Sequence, residues 1–188
     1  MQKAAIGLIL TAILVIAGGY WYLGRTTVEV KPLPQRDDST LRSTTAGNVV
    51  GFIDEHGSRA WLGIPFAESP IGDRRWSATA PKGKRSETLE ALIAGPACPQ
   101  KPSQLTAQTE AAVTGSEDCL FLNIWSPPNA VDLPVMLWIH GGGNSIGHGG
   151  SYSGAKIATA QNVVPSQIAT IVLPPATASV ANDFAEGG

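Results

Sequence analysis

The chain has 188 residues, a length that fits one domain of ordinary size. Its hydrophobic content of 43% and net charge of −2 are typical of a globular protein and exclude a largely disordered chain. Because no basic stripe and no basic run interleaved with aromatic residues is present, nucleic acid is not expected as a partner.

The first 25 residues, "MQKAAIGLILTAILVIAGGYWYLGR", predict an exported chain. The uncharged apolar span 4–23 is long enough, as a helix, to cross a hydrocarbon core of about 30 Å. Tyr20, Trp21 and Tyr22 would then lie at the membrane interface. A cleaved signal peptide with residues 6–17 as its apolar core is the alternative. Both interpretations of residues 1–25, anchor and signal peptide, place the rest of the chain on the periplasmic or extracellular side, either membrane-anchored or secreted.

Cys98 and Cys119 are the two cysteines of the chain. A disulfide between them would suit an exported protein and would stabilise the fold by roughly 3 kcal/mol through loop closure. Two free buried thiols are the alternative, and this would be favoured in a reducing compartment.

The segment after the apolar span changes in character at residue 47. Residues 26–46 are polar and interrupted by proline, which predicts a linker. From Gly47 to Ala67, two short apolar runs flank "DEHG" and predict a β-hairpin. A short helix is expected near Glu87–Ile93.

Two β-rich runs follow in the second half of the chain. They are "DCLFLNIWSP" and "LPVMLWIH". The second is apolar on both faces, which predicts a central strand of a sheet. The segment "SYSGAKIATAQN" predicts the start of a helix.

Five of these stretches carry a family resemblance. They are "GNVVGF", "WLGIPFAESPIGDRRW", "ACPQ", "SEDCLFLNIWSP" and "LPVMLWIHGGG". In this order the chain resembles the N-terminal quarter to third of the type-B carboxylesterases, which have the α/β-hydrolase fold. The resemblance implies that residues 47–164 form an incomplete α/β-hydrolase fold, an N-terminal hairpin region followed by the first central strands. It also implies hydrolysis of a small carboxylic ester through an acyl-serine intermediate, with no metal or organic cofactor.

The resemblance assigns a role to the "HGGG" motif, residues 140–143. In the family this loop follows a central strand and donates backbone N–H groups to the oxyanion of the tetrahedral intermediate. The donors would be Gly142 and Gly143, with Gly141 shaping the turn. His140 is expected to pack behind the loop. Glycine suits these positions because the backbone must approach the substrate closely and adopt positive φ.

Ser145 lies in "GNSIG", a match to the G-x-S-x-G pattern of nucleophilic serines. An elbow serine stands on a tight turn directly between a strand and a helix, whereas several loop residues surround Ser145. The only histidine after it, His148, is too close in the chain for a catalytic triad. We therefore expect that Ser145 is not a nucleophile. A self-contained hydrolase that uses Ser145 remains the alternative.

The resemblance further implies two structural pairs. It places a disulfide between Cys98 and Cys119. It also pairs Arg75 of "RRW" with Glu117 of "SEDC" in a buried ion pair, for which a solvated surface pair is the alternative.

Nothing after Val164 fits the family pattern. Residues 165–188 are expected to be a poorly ordered, non-family tail that arose by a frameshift near residues 164–167, with Pro165 interrupting the strand expected there. The nucleophile elbow and the catalytic histidine of the family are absent from the 188 residues, so the chain is expected to be inactive as given. A non-catalytic, membrane-anchored interaction module of the same fold is the alternative function.

Overall fold

A computed structural model describes residues 32–103, 112–143 and 145–168, together with the isolated positions 15, 18 and 19. The chain divides into two units, residues 1–32 and residues 33–188, and every element below belongs to the second. Among the described residues, no helix is long and apolar enough to cross a bilayer. The predicted apolar span 4–23 lies outside the described residues except at those three positions.

Eight strands and one α-helix make up the described part of the second unit. The strands are β1 (Arg42–Thr44), β2 (Gly47–Val50), β3 (Phe52–Ile53), β4 (Arg59–Pro65), β5 (Leu89–Glu90), β6 (Phe121–Ser126), β7 (Val135–Ile139) and β8 (Val164–Ile168). The helix is α1 (Ala155–Gln161), and short 3-10 turns occupy Asp38–Thr40, Gly72–Arg74 and Gly149–Ser151.

The strands form two sheets. The smaller has the order β1-β2-β5, with β1 antiparallel and β5 parallel to β2. The larger has the order β3-β4-β6-β8-β7. Its strands are antiparallel from β3 to β8, and β7 and β8 are parallel neighbours. Because α1 connects these two parallel strands, β7, α1 and β8 form a βαβ unit, which places the fold in the α/β class.

The predicted hairpin is confirmed as β3 and β4. Its turn is organised by Asp54, whose carboxylate accepts hydrogen bonds from the N–H groups of His56 (2.8 Å) and Ser58 (3.0 Å). The Ser58 hydroxyl donates to the other carboxylate oxygen at 2.6 Å. An aspartate that bonds to the backbone two residues further on is a common way to fix such a turn.

The hydrophobic core lies on the larger sheet, around Trp61 of β4 and Leu122 and Ile124 of β6, which are all fully buried. The Trp61 indole N–H donates to the carbonyl of Thr40 at 2.9 Å, so the polar end of this large side chain is also satisfied. On the other face of β6, Trp125 packs against α1. Covered on both faces, β6 is the central strand of the described sheet.

Strand β7 therefore differs from the expectation of a central position. It lies at the end of the sheet, beside β8 only, within the described residues. Its side chains Leu137, Trp138 and Ile139 are 39–46% exposed. The strand has the apolar sequence of an interior strand, but in the described part of the chain this end of the sheet is only partly covered.

Three further predictions are corrected. The linker does not extend to residue 46, because β1 begins at Arg42 and the buried Thr40 hydroxyl joins the backbone of Asp37 and Gly51. The helix expected near residues 87–93 is strand β5, since pairing with β2 overrides the local preference.

The predicted start of the tail at residue 165 is also corrected, because β8 extends to Ile168. Pro165 lies inside β8 and is fully buried. The ladder between β8 and β6 begins at Ser166, so the proline, the second residue of the strand, precedes this pairing, and its missing N–H is tolerated there. Residues 169–188 lie outside the described residues, and their predicted disorder stays a prediction.

Candidate active site

The segment after β7 is a tight loop rich in glycine, residues 141–147, here called the glycine loop. Its two limbs are joined by the carbonyl of Gly142, which accepts hydrogen bonds from the N–H groups of Ser145 (3.1 Å) and Ile146 (3.2 Å). Gly142 has φ +128°, and a Cβ at this position would lie 1.8 Å from the Ile146 carbonyl oxygen. Only glycine therefore fits at position 142.

Gly143 adopts the left-handed conformation, with φ +58°, yet a Cβ there would meet no atom within 4 Å. Gly141 has neither a positive φ nor a close neighbour at its Cβ position. The expectation that Gly141 shapes the turn is therefore wrong. Gly142 and Gly143, the predicted donors, shape it themselves.

The N–H groups of Gly142 and Gly143 have no hydrogen-bond acceptor in the described part of the chain. Gly143 is exposed and Gly142 is half-buried. Two successive free amides on a fixed turn at the end of a strand are the type of donor pair that stabilises a developing negative oxygen.

A side chain outside the loop holds its returning limb. Gln100 is 8% exposed, and its Oε1 accepts a hydrogen bond from the Gly147 N–H at 2.6 Å. Its Nε2 donates to the carbonyl oxygens of Gly147 and Cys98, each at 3.0 Å. Sequence reasoning noted "CPQ" only as part of the family resemblance and gave Gln100 no role. The residue lies 47 positions before its partner, and no local pattern reveals such a contact.

The disulfide between Cys98 and Cys119 is confirmed, with a Cα–Cα distance of 5.1 Å. Next to it, Gln100 and Thr114 exchange two backbone hydrogen bonds, of 2.9 and 2.8 Å. Gln100 therefore extends from the base of the disulfide-closed segment towards the glycine loop.

Two histidines flank the loop. His140 Nδ1 lies 2.8 Å from the Gly141 carbonyl oxygen, and it must donate there because a carbonyl only accepts. Its ring also packs against Gly147, as a Cβ at that glycine would lie 3.0 Å from Nδ1. His148 accepts from the Gly150 N–H at 3.2 Å. Burial, and secondly the nearby His140, lower the pKa of His148 from its ordinary value of 6.5.

Ser145 does not stand on a nucleophile elbow. It is exposed within the glycine loop, and its hydroxyl donates to the Gly143 carbonyl at 3.2 Å. Within the described residues, no histidine forms a hydrogen bond with it. The helical turn that follows is a 3-10 turn beginning at Gly149, whereas an elbow leads directly into a helix.

The Arg75–Glu117 ion pair is present, but its setting differs from the buried pair that the resemblance implied. The Arg75 guanidinium donates to the Glu117 carboxylate across 42 residues. The two side chains are 56% and 39% exposed. The structure therefore supports the alternative of a solvated pair, because no element covers this surface in the described part of the chain.

The described part of the chain is an α/β scaffold with a glycine turn after a parallel strand, and the N–H groups of this turn have no acceptor among the described residues. Comparison with known proteins identifies it: a sequence model of the carboxylesterase family matches residues 38–168. The chain belongs to the carboxylesterase family, and its described elements form part of the α/β-hydrolase fold. The match begins within the segment expected to be linker and ends at the last residue of β8.

Individual relatives agree with this assignment. The para-nitrobenzyl esterase of Bacillus subtilis (strain 168) is 37% identical over 125 residues, 65% of this chain and 25% of that protein. The fumonisin B1 esterase of Sphingopyxis macrogoltabida is 42% identical over 141 residues, 72% of this chain and 25% of that protein. The solved carboxylesterase of Geobacillus stearothermophilus superimposes with a TM-score of 0.60 at 36% identity, over 69% of this chain and 26% of the other. The chain thus spans about a quarter of the length of these relatives.

Proposed function

We propose that these residues form the oxyanion-stabilising part of a carboxylic ester hydrolase that acts through an acyl-serine intermediate. The observation that carries the proposal is the pair of amides at Gly142 and Gly143 that have no acceptor among the described residues, held on a turn that only glycine can form at position 142. The nucleophile and its histidine base are proposed to lie outside these 188 residues.

The chemistry of the two amides follows from the reaction. When a serine oxygen attacks the ester carbonyl, the carbonyl oxygen becomes an oxyanion and accepts hydrogen bonds from both N–H groups. Collapse of this tetrahedral intermediate expels the alcohol and leaves the acyl-serine, which water then attacks in the same way. Donors fixed in advance stabilise the charge without reorganisation, and loss of one such donor typically lowers kcat about 100-fold to 1,000-fold.

The proposed substrate class is a small-molecule carboxylic ester. This is supported by the family match and by relatives named para-nitrobenzyl esterase and fumonisin B1 esterase. The proposed reaction requires no metal or organic cofactor. Export is proposed as well, with residues 4–23 as membrane anchor or as part of a signal peptide. The Cys98–Cys119 disulfide supports it, since such bonds persist in oxidising compartments.

The site is tested in a chimera. Residues 38–163 of this chain replace the corresponding part of the Bacillus subtilis para-nitrobenzyl esterase, which supplies the remaining catalytic groups. We expect the chimera to hydrolyse a p-nitrobenzyl ester. Gly142→Ala should lower kcat at least about 100-fold because it displaces the donor turn. Gly141→Ala is the matched control and should have a smaller effect, since Gly141 has no positive φ and a Cβ there meets no atom within 4 Å. A folded Gly142→Ala chimera with unchanged kcat would refute the assignment.

The alternative, a non-catalytic interaction module, is distinguished at the level of the gene. The proposal predicts that DNA downstream of codon 164, read in all three frames, encodes a G-x-S-x-G elbow after a strand. Absence of that elbow from every frame of the genuine locus would favour the interaction module instead.

A further inference from the structure

We propose that the side-chain amide of Gln100 is the positioning residue of the glycine loop, and that it couples the order of the two donor amides to the disulfide-closed segment. The catalytic meaning of this coupling rests on the proposed function. The coupling itself is a property of the fold that is measured without any turnover.

The hydrogen bonding of the Gln100 side-chain amide is complete. Both amide functions of Gln100 are used: Nε2 donates to the Cys98 and Gly147 carbonyls, and Oε1 accepts from the Gly147 N–H. The orientation of the amide is therefore determined, because a reversed amide would place its oxygen against two carbonyl oxygens. A buried polar group with every partner in place specifies one arrangement of its surroundings.

Contacts within the glycine loop link the position of Gly147 to the donor amides of Gly142 and Gly143. Gly147 packs so closely against the outgoing limb of the loop that a Cβ on it would lie 2.7 Å from the Gly141 carbonyl oxygen. The preceding residue, Ile146, donates to the Gly142 carbonyl. The outgoing limb is held by β7 and the returning limb by Gln100. The turn at Gly142 and Gly143 is therefore fixed at both ends, by β7 on one side and by Gln100 on the other.

Backbone contacts hold Gln100 in place at the base of the disulfide-closed segment. Gln100 exchanges both backbone hydrogen bonds with Thr114, and Ser116 donates to the Ala97 carbonyl at 2.8 Å. Gly115 approaches the other limb so closely that a Cβ there would lie 2.4 Å from the Cys98 carbonyl oxygen. The same Cys98 carbonyl accepts from Gln100, so the disulfide-bonded residue and the glycine loop share one side-chain amide.

The test uses the full 188-residue chain labelled with ¹⁵N. In the wild-type chain we expect the Gly147 amide to be strongly protected from hydrogen exchange, because it is buried and bonded to Oε1. An unprotected Gly147 amide in the folded wild-type chain would overturn the proposal before any variant is made.

The decisive variant is Gln100→Glu, which keeps the shape and the acceptor but removes both donors. At neutral pH two carbonyl oxygens repel its carboxylate and displace it, so the Gly147 N–H loses its acceptor and its exchange should accelerate about tenfold or more. The amide chemical shifts of Gly142 and Gly143 should move with it. At acidic pH the protonated side chain regains one donor, and these shifts should return towards the wild-type positions. A residue that only fills space gives no such reversal.

Gln161→Glu, at the exposed end of α1, is the matched control and should leave all three glycines unchanged. If Gln100→Glu shifts Gly147 but neither Gly142 nor Gly143, the coupling to the donors is refuted. If Gln100→Glu fails to fold, Gln100→Asn provides the same readout, since its shorter side chain cannot reach Gly147. Reduction of the disulfide in the wild-type chain should move the same three amides, and a response that spares them would refute the link to Cys98.

Discussion

The side chain of Asn123 in β6 satisfies the backbone of Gly63 in β4: its Oδ1 accepts the Gly63 N–H at 2.9 Å. The contact lies at the irregularity where the register of the two strands shifts between Trp61 and Ile64. Gly63 has φ +73°, and a Cβ there would lie 2.3 Å from the Ile93 carbonyl oxygen. The irregularity is therefore stabilised by one buried amide and by a close approach of two backbones.

Replacing this amide should destabilise the fold. We expect Asn123→Leu to lower the free energy of unfolding by about 1–3 kcal/mol, because the Gly63 N–H loses its buried acceptor. Gly63→Ala should cost more, since it adds backbone strain and a collision with Ile93. Urea unfolding followed by circular dichroism measures both. Asn48→Leu, on the exposed side of β2, is the control and should change stability by less than about 0.5 kcal/mol. Equal stability losses for Asn123→Leu and Asn48→Leu would contradict this account.

The Arg75–Glu117 pair should contribute little to stability. Because both side chains are substantially exposed, solvent screens their attraction, and we expect Arg75→Ala to change the free energy of unfolding by less than about 1 kcal/mol. A double-mutant cycle with Glu117→Gln isolates the pairwise energy at low and high salt. A coupling of about 3 kcal/mol or more would show that the pair is buried in solution, contrary to the structure.

His148 predicts a pH dependence near the glycine loop. Its pKa is lowered in the folded state, first by burial and then by His140, so between the folded and unfolded pKa values the unfolded chain binds more protons. The stability contributed by neutral His148 is fully present above about pH 6.5 and is lost as pH falls through the folded pKa. His148→Asn keeps an acceptor for the Gly150 N–H but cannot titrate, and it should flatten the stability profile below about pH 6.5. His56→Asn is the control, and an equal flattening by it would reject His148 as the source.

Ser145 should not act as a catalytic nucleophile. The purified 188-residue chain is expected to show no Ser145-dependent turnover of p-nitrophenyl acetate and no labelling by an organophosphonate probe, because the Ser145 hydroxyl donates to a carbonyl and has no base in the described residues. Mass spectrometry of the labelled chain is the measurement. A phosphonate adduct on Ser145, together with turnover lost in Ser145→Ala, would establish a self-contained hydrolase.

The sequence predicted the features that depend on residues close together in the chain. The hairpin around Asp54, the helix after Ser153 and the glycine turn at Gly142 each carry a characteristic pattern of turn residues, apolar spacing or consecutive glycines. β5 was mistaken for a helix because its identity comes from pairing with β2, which is about 40 residues earlier in the chain. Gln100 carried no signal of its role at all, since a glutamine after a Cys-Pro pair does not indicate which backbone it will contact.

The free side of β7 has a consequence for handling the molecule. Within the described residues, the edge strand β7 offers unpaired backbone groups and the exposed side chains of Leu137, Trp138 and Ile139 to a similar strand in solution. Tyr152, whose ring centroid lies 6.0 Å from that of Trp138, shields part of it. Molecules of this chain at high concentration should therefore associate edge to edge, and dilution should reduce this association.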